Sequence, residues 1–295
     1  MKVEHFFDND IDTSNTINEK PVYYLSNRKD LIVDPLTFPE IGYLGIIKSE
    51  NITIRNLKLT NNGQGILLAY TNNSFIRNLE IANNQIGLHL YYSNGNLIEK
   101  CTIANNQAEG ILIDHSNGNI IRANMVMDNS YGIGTGSGNK GNLIYHNNFI
   151  NNTIQVGYRF FEVRDGKPIY AEDKWDEGYP SGGNYWSDYS GVDLYSGSYQ
   201  NLTGSDEIGD EPYIIDENNR DNYPLMHPYR VLIGDLNHDG TIDIVDIILV
   251  AIAFGTYPNH SRWNPEADLN QDGKIDIYDL VLVAQNYGKT YPWLT

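Results

Sequence analysis

The chain has 295 residues, with 20 lysines and arginines against 38 aspartates and glutamates, which gives a formal net charge of −18 at pH 7. This length allows a large core plus a small module, and the acidic balance argues against nucleic acid and anionic membranes as partners. No apolar run is long enough to insert into a membrane, and Met1–Asp8 lacks the apolar segment of a secretion signal.

The segment before residue 54 contains short runs of alternating apolar and polar residues without a strict period. From about Asn51 to Asn152 the sequence then repeats. The first run of each repeat starts at residues 56, 78, 100, 123 and 146, so the period is 22 or 23 residues. Three short runs per repeat, joined by Asn/Gly turns, predict the coils of a right-handed parallel β-helix. A leucine-rich repeat has a similar period but needs helical flanks, and these links supply none.

Stacking of the coils would place equivalent side chains ~4.8 Å apart. The repeat therefore predicts internal ladders of identical or similar residues, two aliphatic and one of amides. The ladders are Ile66, Leu88, Ile111 and Ile133; Leu68, Leu90 and Ile113; and Asn96, Asn119 and Asn142, with Ser74 at the end.

The only cysteine, Cys101, occupies the repeat position of Leu57 and Leu79. An intrachain disulfide is therefore impossible, and we expect Cys101 to be a small core residue and not a nucleophile.

After the repeats the sequence becomes rich in aromatic and turn residues, as in Gly182–Tyr189 and Asp221–Pro228. A solenoid must cover its last open coil, so we expect this stretch to form a cap. The predicted domains are a β-helix over residues 1–173, a cap and linker over 174–230, and a second module over 231–295.

Residues 1–230 resemble the NosD-like family of periplasmic and surface β-helix proteins. The resemblance is carried by Asn15–Leu25, by the 22-residue coils, and by the tail segments Gly183–Tyr189 and Asn222–Leu225. It implies the β-helix fold and suggests copper handling, for which thioether ligands suit Cu(I). The nearest candidates are Met125, Met127 and His146, but Met125 takes an ordinary repeat position and no Met-rich or Cys/His cluster accompanies it, so the residues themselves disfavour copper.

One outward face of two neighbouring coils combines imidazoles, tyrosines and a carboxylate. Its residues are His89, Tyr91, Tyr92, Asp114 and His115, with Tyr70 and Arg122 expected nearby. Tyr91 and Tyr92 are predicted to stack on sugar rings. Asp114 would accept hydroxyl hydrogen bonds, and Asp114, His115 and His89 are the catalytic candidates for acid and base roles.

The same residues also fit an ordinary solvated face. The motif sets of polygalacturonase-type hydrolases and of calcium-dependent pectate lyases are absent, which favours binding without catalysis. A polysaccharide lyase or glycoside hydrolase remains the first alternative, and a structural spacer remains the second.

Two segments near the C-terminus, Asp235–Asp246 and Asp268–Asp279, share one twelve-residue pattern. Oxygen-bearing side chains stand at positions 1, 3, 5, 9 and 12, glycine stands at position 6, and a backbone carbonyl is available at position 7, as in a calcium loop. Two loops predict two Ca²⁺ ions. The predicted ligands are Asp235, Asn237, Asp239, Thr241, Asp243 and Asp246 in the first loop, and Asp268, Asn270, Asp272, Lys274, Asp276 and Asp279 in the second.

Each loop leads into an apolar segment that ends at Gly255 or Gly288, where a helix favours a left-handed residue. The two halves are expected to be related by a pseudo-twofold axis and to pack their helices together. Paired loops with Asp at position 12, each followed by one helix, resemble a type I dockerin over residues 231–291.

The dockerin resemblance implies a cohesin partner and an extracellular or cell-surface location. It places Ile244, Val245, Ile277 and Tyr278 at the cohesin contact, unless these residues pack within the protein. The sequence as a whole thus predicts an all-β right-handed parallel β-helix that binds polysaccharide or cell-surface material, joined to a small α-helical, calcium-binding dockerin domain.

Overall fold

The computed structural model describes residues 6–136, 138–160, 163–164, 167–168, 171–230, 232–237, 240–258, 260–270 and 272–290. The chain divides into two compact units, one from residues 1–178, 182–192 and 209–229, the other from residues 179–181, 193–208 and 230–295. Each unit has its own hydrophobic core. The predicted domain boundaries after residues 173 and 230 stay predictions.

The first unit is a parallel β-helix, as predicted, in which each regular coil contributes one strand to each of three sheets. The first sheet contains Thr16–Ile17, Lys20–Ser26, Tyr43–Ile47, Gln64–Ala69, Ile86–Tyr91, Glu109–Asp114, Tyr131–Gly136 and Ile154–Phe160. The second contains Ile32–Val33, Thr53–Arg55, Phe75–Arg77, Leu97–Glu99, Ile120–Arg122, Lys140–Tyr145 and Glu172–Lys174. The third contains Lys58–Thr60, Glu80–Ala82, Thr102–Ala104, Met125–Met127, Asn148–Ile150 and Tyr185–Trp186.

Within the described part of these three sheets, neighbouring coils pair in parallel, and Thr16–Ile17 pairs antiparallel with Lys20–Ser26. Three two-stranded hairpins complete the strands. They are Val163–Arg164 with Lys167–Pro168, Tyr195–Ser196 with Leu202–Thr203, and Tyr213–Ile214 with Arg220–Asp221. The second of these hairpins belongs to the second unit.

Both predicted aliphatic ladders are confirmed. Leu88 pairs with Ile66 on one side and with Ile111 on the other, and Leu90 pairs likewise within its own ladder. Every member is fully buried, so each contributes roughly 1.5–3 kcal/mol of hydrophobic stabilisation. Cys101 is confirmed as a core residue, since it is 2% exposed and burial raises the pKa of its thiol to about 12.

The predicted amide ladder is also confirmed, with Asn119 at its centre. The Oδ1 of Asn119 accepts hydrogen bonds from the backbone N (2.9 Å) and the Nδ2 (3.1 Å) of Asn96. Its own Nδ2 donates to Asn142 Oδ1 (2.9 Å) and to the Ser93 carbonyl (3.0 Å). Each amide therefore satisfies buried polar groups in more than one coil.

Two further buried amide ladders were not predicted. They are Asn84, Asn106, Asn129 and Asn152, and Asn124, Asn147 and Asn184. The 22- or 23-residue spacing from Asn84 to Asn152 and from Asn124 to Asn147 was visible in the sequence, whereas Asn184 follows Asn147 by 37 residues. However, each repeat has several asparagines, and spacing alone does not say which of them points inward.

In the coil that follows Asn142, the ladder position is occupied by Asp173 and not by an asparagine. Its Oδ1 accepts from the backbone N and the Nδ2 of Asn142, both at 2.9 Å. Its Oδ2 is buried and has no hydrogen-bond partner among the described residues. Burial raises the pKa of Asp173 from 3.8 to about 6.

Replacing Asp173 with asparagine is therefore expected to stabilise the protein near pH 8 by about 3 kcal/mol and to have little effect near pH 4. Because the folded-state pKa is raised, the stability contributed by the protonated carboxyl is complete below about pH 4 and is lost as the pH rises through about 6. Chemical unfolding of Asp173→Asn and of the unsubstituted protein at both pH values measures the difference. A difference that does not change with pH would contradict the prediction.

Aromatic rings pack over the last coil. The ring of Trp186 lies between Phe149, at 4.5 Å, and Tyr213, at 4.3 Å. The fully buried Asp221 accepts hydrogen bonds from Asn184 N (2.7 Å) and Trp186 Nε1 (2.9 Å), and burial raises its pKa to about 7. Asp221 is present both in the Asp173→Asn variant and in the unsubstituted protein. Its titration therefore does not contribute to the difference in stability between them.

The second unit contains two helices, α1 (Ile244–Ala253) and α2 (Ile277–Asn286), and a 3₁₀ turn, Pro265–Ala267. The helices begin inside the two loops because Asp243 and Asp276 cap them, each in a capping box with the aspartate three residues later. They end as predicted, since Gly255 and Gly288 have φ of 76° and 79°. No helix in the described part of the chain is long and apolar enough to cross a membrane.

The predicted pairing of the two halves is confirmed. Ile242 of the first loop exchanges backbone hydrogen bonds with Gly288 and Lys289 after α2, both at 2.8 Å. Ile275 of the second loop does the same with Gly255 and Thr256 after α1, at 2.8 and 3.0 Å. Each loop is therefore held by the helix end of the other half.

Candidate functional site

Three rings form a continuous stack on the outside of the β-helix, which we call the ring row: Tyr70, Tyr92 and His115. Each directly follows a strand of the first sheet and has a positive φ, of 54°, 47° and 50°. The ring centroids of Tyr70 and Tyr92 lie 5.2 Å apart, with an angle of 12° between the ring planes. Those of Tyr92 and His115 lie 4.7 Å apart, with an angle of 14°. Large residues rarely adopt this backbone, so the coil stacking holds the rings there. Both faces of Tyr92 are covered.

Tyr91 is the last residue of the strand Ile86–Tyr91, and its ring packs against the ring row. Its ring lies 4.9 Å from Tyr92 and 5.9 Å from Tyr70, and Phe7 packs on it at 5.2 Å. Burial, together with Tyr70, Tyr92 and Asp114, raises the pKa of the Tyr91 phenol. His89 belongs to the same face, 5.9 Å from Tyr91.

Asp114 and His115 form a hydrogen-bonded pair. The distance from Asp114 Oδ1 to His115 Nδ1 is 2.6 Å, and the side chains are 13% and 40% exposed. An ionised Asp114 would hold the proton on Nδ1 and leave Nε2 as the acceptor, which is the arrangement of a general base. Asp114 also pairs with Tyr91 across the strands, so the structure brings together all five residues predicted for this face.

Arg122, which was expected near this face, is not part of it. Its strand lies in the second sheet, and its guanidinium donates to Glu99 Oε2 at 2.9 and 3.0 Å and to the Tyr145 hydroxyl at 3.2 Å. The prediction was wrong because the turn after His115 carries the chain to another side of the coil.

A row of amides beside the ring row was missed. Asn94 donates from its backbone N and its Nδ2 to Asn72 Oδ1, at 2.8 and 3.3 Å, and Asn117 N donates to Asn94 Oδ1 at 2.8 Å. Unlike the inner ladders, Asn94 and Asn117 are exposed. The 22- and 23-residue spacing of these three asparagines is the signal that identifies them.

The two predicted calcium loops contain four buried carboxylates, those of Asp235, Asp246, Asp268 and Asp279. Gly240 and Gly273 both have φ of 83°, and each donates its N–H to the first aspartate of its loop at 3.0 Å. Burial and the neighbouring Asp279 and Asp272 carboxylates raise the pKa of Asp268.

The other predicted ligands differ in exposure. Asn237, Asn270 and Asp272 are exposed, Thr241 is half-buried, and Asp239 lies outside the described residues. Within the described ranges, no three acidic, imidazole or thiol groups converge into a metal cluster. The set of hard oxygen donors with four of its carboxylates buried still fits Ca²⁺.

The four predicted cohesin-contact residues are exposed: Ile244 by 55%, Val245 by 42%, Ile277 by 53% and Tyr278 by 67%. Three more apolar residues extend these surfaces along the helices, namely Ile248 and Ile252 on α1 and Val281 on α2. Position 285, which corresponds to Ile252, is glutamine.

The residues considered for copper lie in or just before strands of the third sheet. Met125 and Met127 are half-buried in the third sheet, while His146 is 6% exposed and stacks on Tyr229 at 4.3 Å. In the described part of the chain no group of three or more histidine, cysteine, aspartate or glutamate side chains forms a metal cluster.

Comparison with known proteins gives two family matches. Residues 3–191 match the family described as periplasmic copper-binding protein (NosD), and residues 233–286 match the dockerin type I domain. No curated protein matches the chain.

Among solved structures, the chain is similar to variants of the periplasmic alginate epimerase AlgG. One single-substitution variant shows 24% identity over 50% of this chain and 36% of that chain, with a TM-score of 0.39. A double-substitution variant shows 18% identity over 45% of this chain and 44% of that chain, with a TM-score of 0.30. The chain thus spans less than half the length of these structures. With the NosD model matching more than half of its residues, the chain belongs to the NosD family, and its C-terminal module is a type I dockerin domain.

Proposed function

We propose that this protein is an extracellular or cell-surface component that attaches through its dockerin to a cohesin and binds polysaccharide through the ring row and its neighbours. Type I dockerin domains bind calcium and imply a cohesin partner. We extend this to two Ca²⁺ ions, one for each loop, held by the twelve predicted ligands.

The ring row is the observation that supports polysaccharide binding. Because Tyr70, Tyr92 and His115 cover one another's faces, a sugar would meet their edges, the tyrosine hydroxyls and the imidazole. The amide row of Asn72, Asn94 and Asn117 adds hydrogen-bonding groups at the same coil spacing. Polar groups repeated along a line suit an extended polymer better than a single small molecule.

Affinity electrophoresis against a panel of neutral and acidic polysaccharides tests the binding proposal. Tyr92→Asn removes the middle ring while keeping a residue that tolerates a positive φ, and we expect it to weaken binding at least tenfold. Tyr199→Asn, at an 85% exposed tyrosine of the other unit, is the matched control and should bind normally. Retention by none of the polysaccharides would leave the β-helix as a spacer.

The Asp114–His115 pair supports catalysis as a second candidate. Glycosidases place two carboxylates within about 10 Å of each other, whereas Asp114 and Glu109 lie five residues apart along one strand, roughly 16 Å. Asp114 and Glu109 are therefore too far apart to act as the carboxylate pair of a glycosidase, and the Asp114–His115 pair fits a lyase, in which one base removes a proton. Release of new reducing ends that disappears in both Asp114→Asn and His115→Gln would establish an enzyme.

The two dockerin helices offer unequal cohesin-binding surfaces. On α1 the exposed residues Ile244, Val245, Ile248 and Ile252 are all aliphatic. On α2 the equivalent positions are Ile277, Tyr278, Val281 and Gln285, which include a hydroxyl and an amide. We therefore propose that α1 forms the stronger cohesin contact.

Matched substitutions on the two helices test this asymmetry. Ile248→Asp and Val281→Asp occupy equivalent, exposed positions, so neither should unfold the module. We expect Ile248→Asp to weaken cohesin binding about tenfold and Val281→Asp about twofold, with the double variant losing it. Equal effects in a titration of purified cohesin would show that the faces are equivalent.

A further inference from the structure

A groove of about 520 Å³ opens on the turns at the N-terminal end of the ring row. Tyr70 lines both the groove and the row, so the two surfaces are continuous. Arg28, Lys29, Lys48 and Glu50 also line the groove. Lys48 occupies the repeat position of Tyr70, Tyr92 and His115 one coil earlier and shares their positive φ, at 49°.

The lining of this groove contains more cations than carboxylates, unlike the sequence as a whole. The whole sequence has 20 cationic and 38 acidic residues, whereas the groove has three cations and one carboxylate. Lys29 pairs with Glu50 at 2.8 Å and Lys48 pairs with Asp8 at 2.5 Å. The exposed Arg28 guanidinium makes no hydrogen bond or ion pair with the described residues. Both lysines of the groove are thus paired with carboxylates, and the exposed Arg28 guanidinium is the available cation among the described residues that line it.

We infer that this groove binds the carboxylate or sulfate groups of an acidic polysaccharide whose chain continues along the ring row. A guanidinium presents paired N–H donors that match the two oxygens of such a group. The ammonium of Lys48, which is paired with Asp8, lines the same groove, and the ring of Tyr70 continues the surface toward Tyr92. This inference rests on the proposed polysaccharide binding and adds the charge class of the ligand.

Pairs of polymers that differ only in charge test the inference. The probes are polygalacturonate beside its methyl ester, and dextran sulfate beside dextran, each titrated into the full chain at low salt. We expect at least one charged polymer to bind about tenfold tighter than its neutral partner. This preference should shrink as added salt screens the charges. Which of the two charged polymers binds distinguishes carboxylate from sulfate.

Substitutions then locate the contact. Arg28→Gln and Lys48→Gln are each expected to weaken binding of the charged polymer about threefold, the scale of an exposed charge pair. Lys58→Gln is the matched control, because Lys58 is ion-paired with Glu80 and exposed but belongs to the third sheet.

Equal binding of charged and neutral partners, no binding of either charged polymer, or no effect of both groove substitutions would overturn the inference. In the first two cases, binding of the neutral polymers would still support the proposed function. If neither the charged nor the neutral polymers bound, both this inference and the proposed polysaccharide binding would be contradicted.

Discussion

Removal of calcium with a chelator is expected to unfold the dockerin and to abolish cohesin binding while the β-helix stays folded. Four carboxylates are buried in the two loops, and Asp268 is already disfavoured as an anion by burial and by Asp279 and Asp272. Without a cation these groups repel one another, and the module's core is small. Calcium binding therefore supplies folding free energy.

The cross-pairing of the halves makes this loss cooperative. Ile242 of the first loop is hydrogen-bonded to the backbone that follows α2. Ile275 of the second loop is hydrogen-bonded to the backbone that follows α1. An Asp268→Ala substitution in the second loop should consequently expose both helices. Hydrogen exchange of the full chain should show α1 and α2 losing protection together, while Ile86–Tyr91 of the β-helix remains protected.

Lys274→Ala provides the matched control within the same loop. Lys274 is predicted to bind calcium through its backbone carbonyl, and its side chain is exposed, so its truncation should leave calcium binding and exchange unchanged. If Asp268→Ala exposed α2 alone, the two halves would fold independently and the cooperative prediction would be wrong.

The features that depend on spacing could be predicted from the sequence. Ile66, Leu88 and Ile111 recur at the coil period, and stacked strands leave one arrangement that buries all three. The dockerin was predictable for a similar reason, because ligand positions in a calcium loop are fixed by residue number. In both cases, each residue could be assigned directly to a position in the coil repeat or in the calcium loop.

The features that depend on where the chain turns could not be predicted. Arg122 follows Asp114 by only eight residues, yet the turn after His115 places it in the second sheet with Glu99. Spacing also did not reveal that Tyr92 would be covered on both faces. That result follows from the shared left-handed backbone of Tyr70, Tyr92 and His115, which aligns their rings along the stacking direction and so changes the expected sugar contact from ring faces to ring edges.

Replacing Asn119 with alanine is expected to destabilise the β-helix by about 3–5 kcal/mol. The substitution removes the acceptor of the buried Asn96 N–H and both bonds that Asn119 Nδ2 makes, to Asn142 and to the Ser93 carbonyl. It also leaves a cavity where the coils are closely stacked. A buried donor left without a partner lowers the stability by more free energy than an average hydrogen bond contributes. Urea unfolding, followed by a β-sheet signal, measures the loss.

Two other substitutions separate the ladder from the residue type. Asn117→Ala removes an exposed asparagine from the same turn and should change stability by less than about 0.5 kcal/mol. Asn119→Ser should lose less than Asn119→Ala, because Ser74 at the ladder's end already accepts a backbone N–H, that of Ile52, at 3.0 Å. If alanine at 119 cost no more than alanine at 117, the buried amides would not be what stabilises the stacked coils, and the aliphatic ladders would have to account for that stability alone.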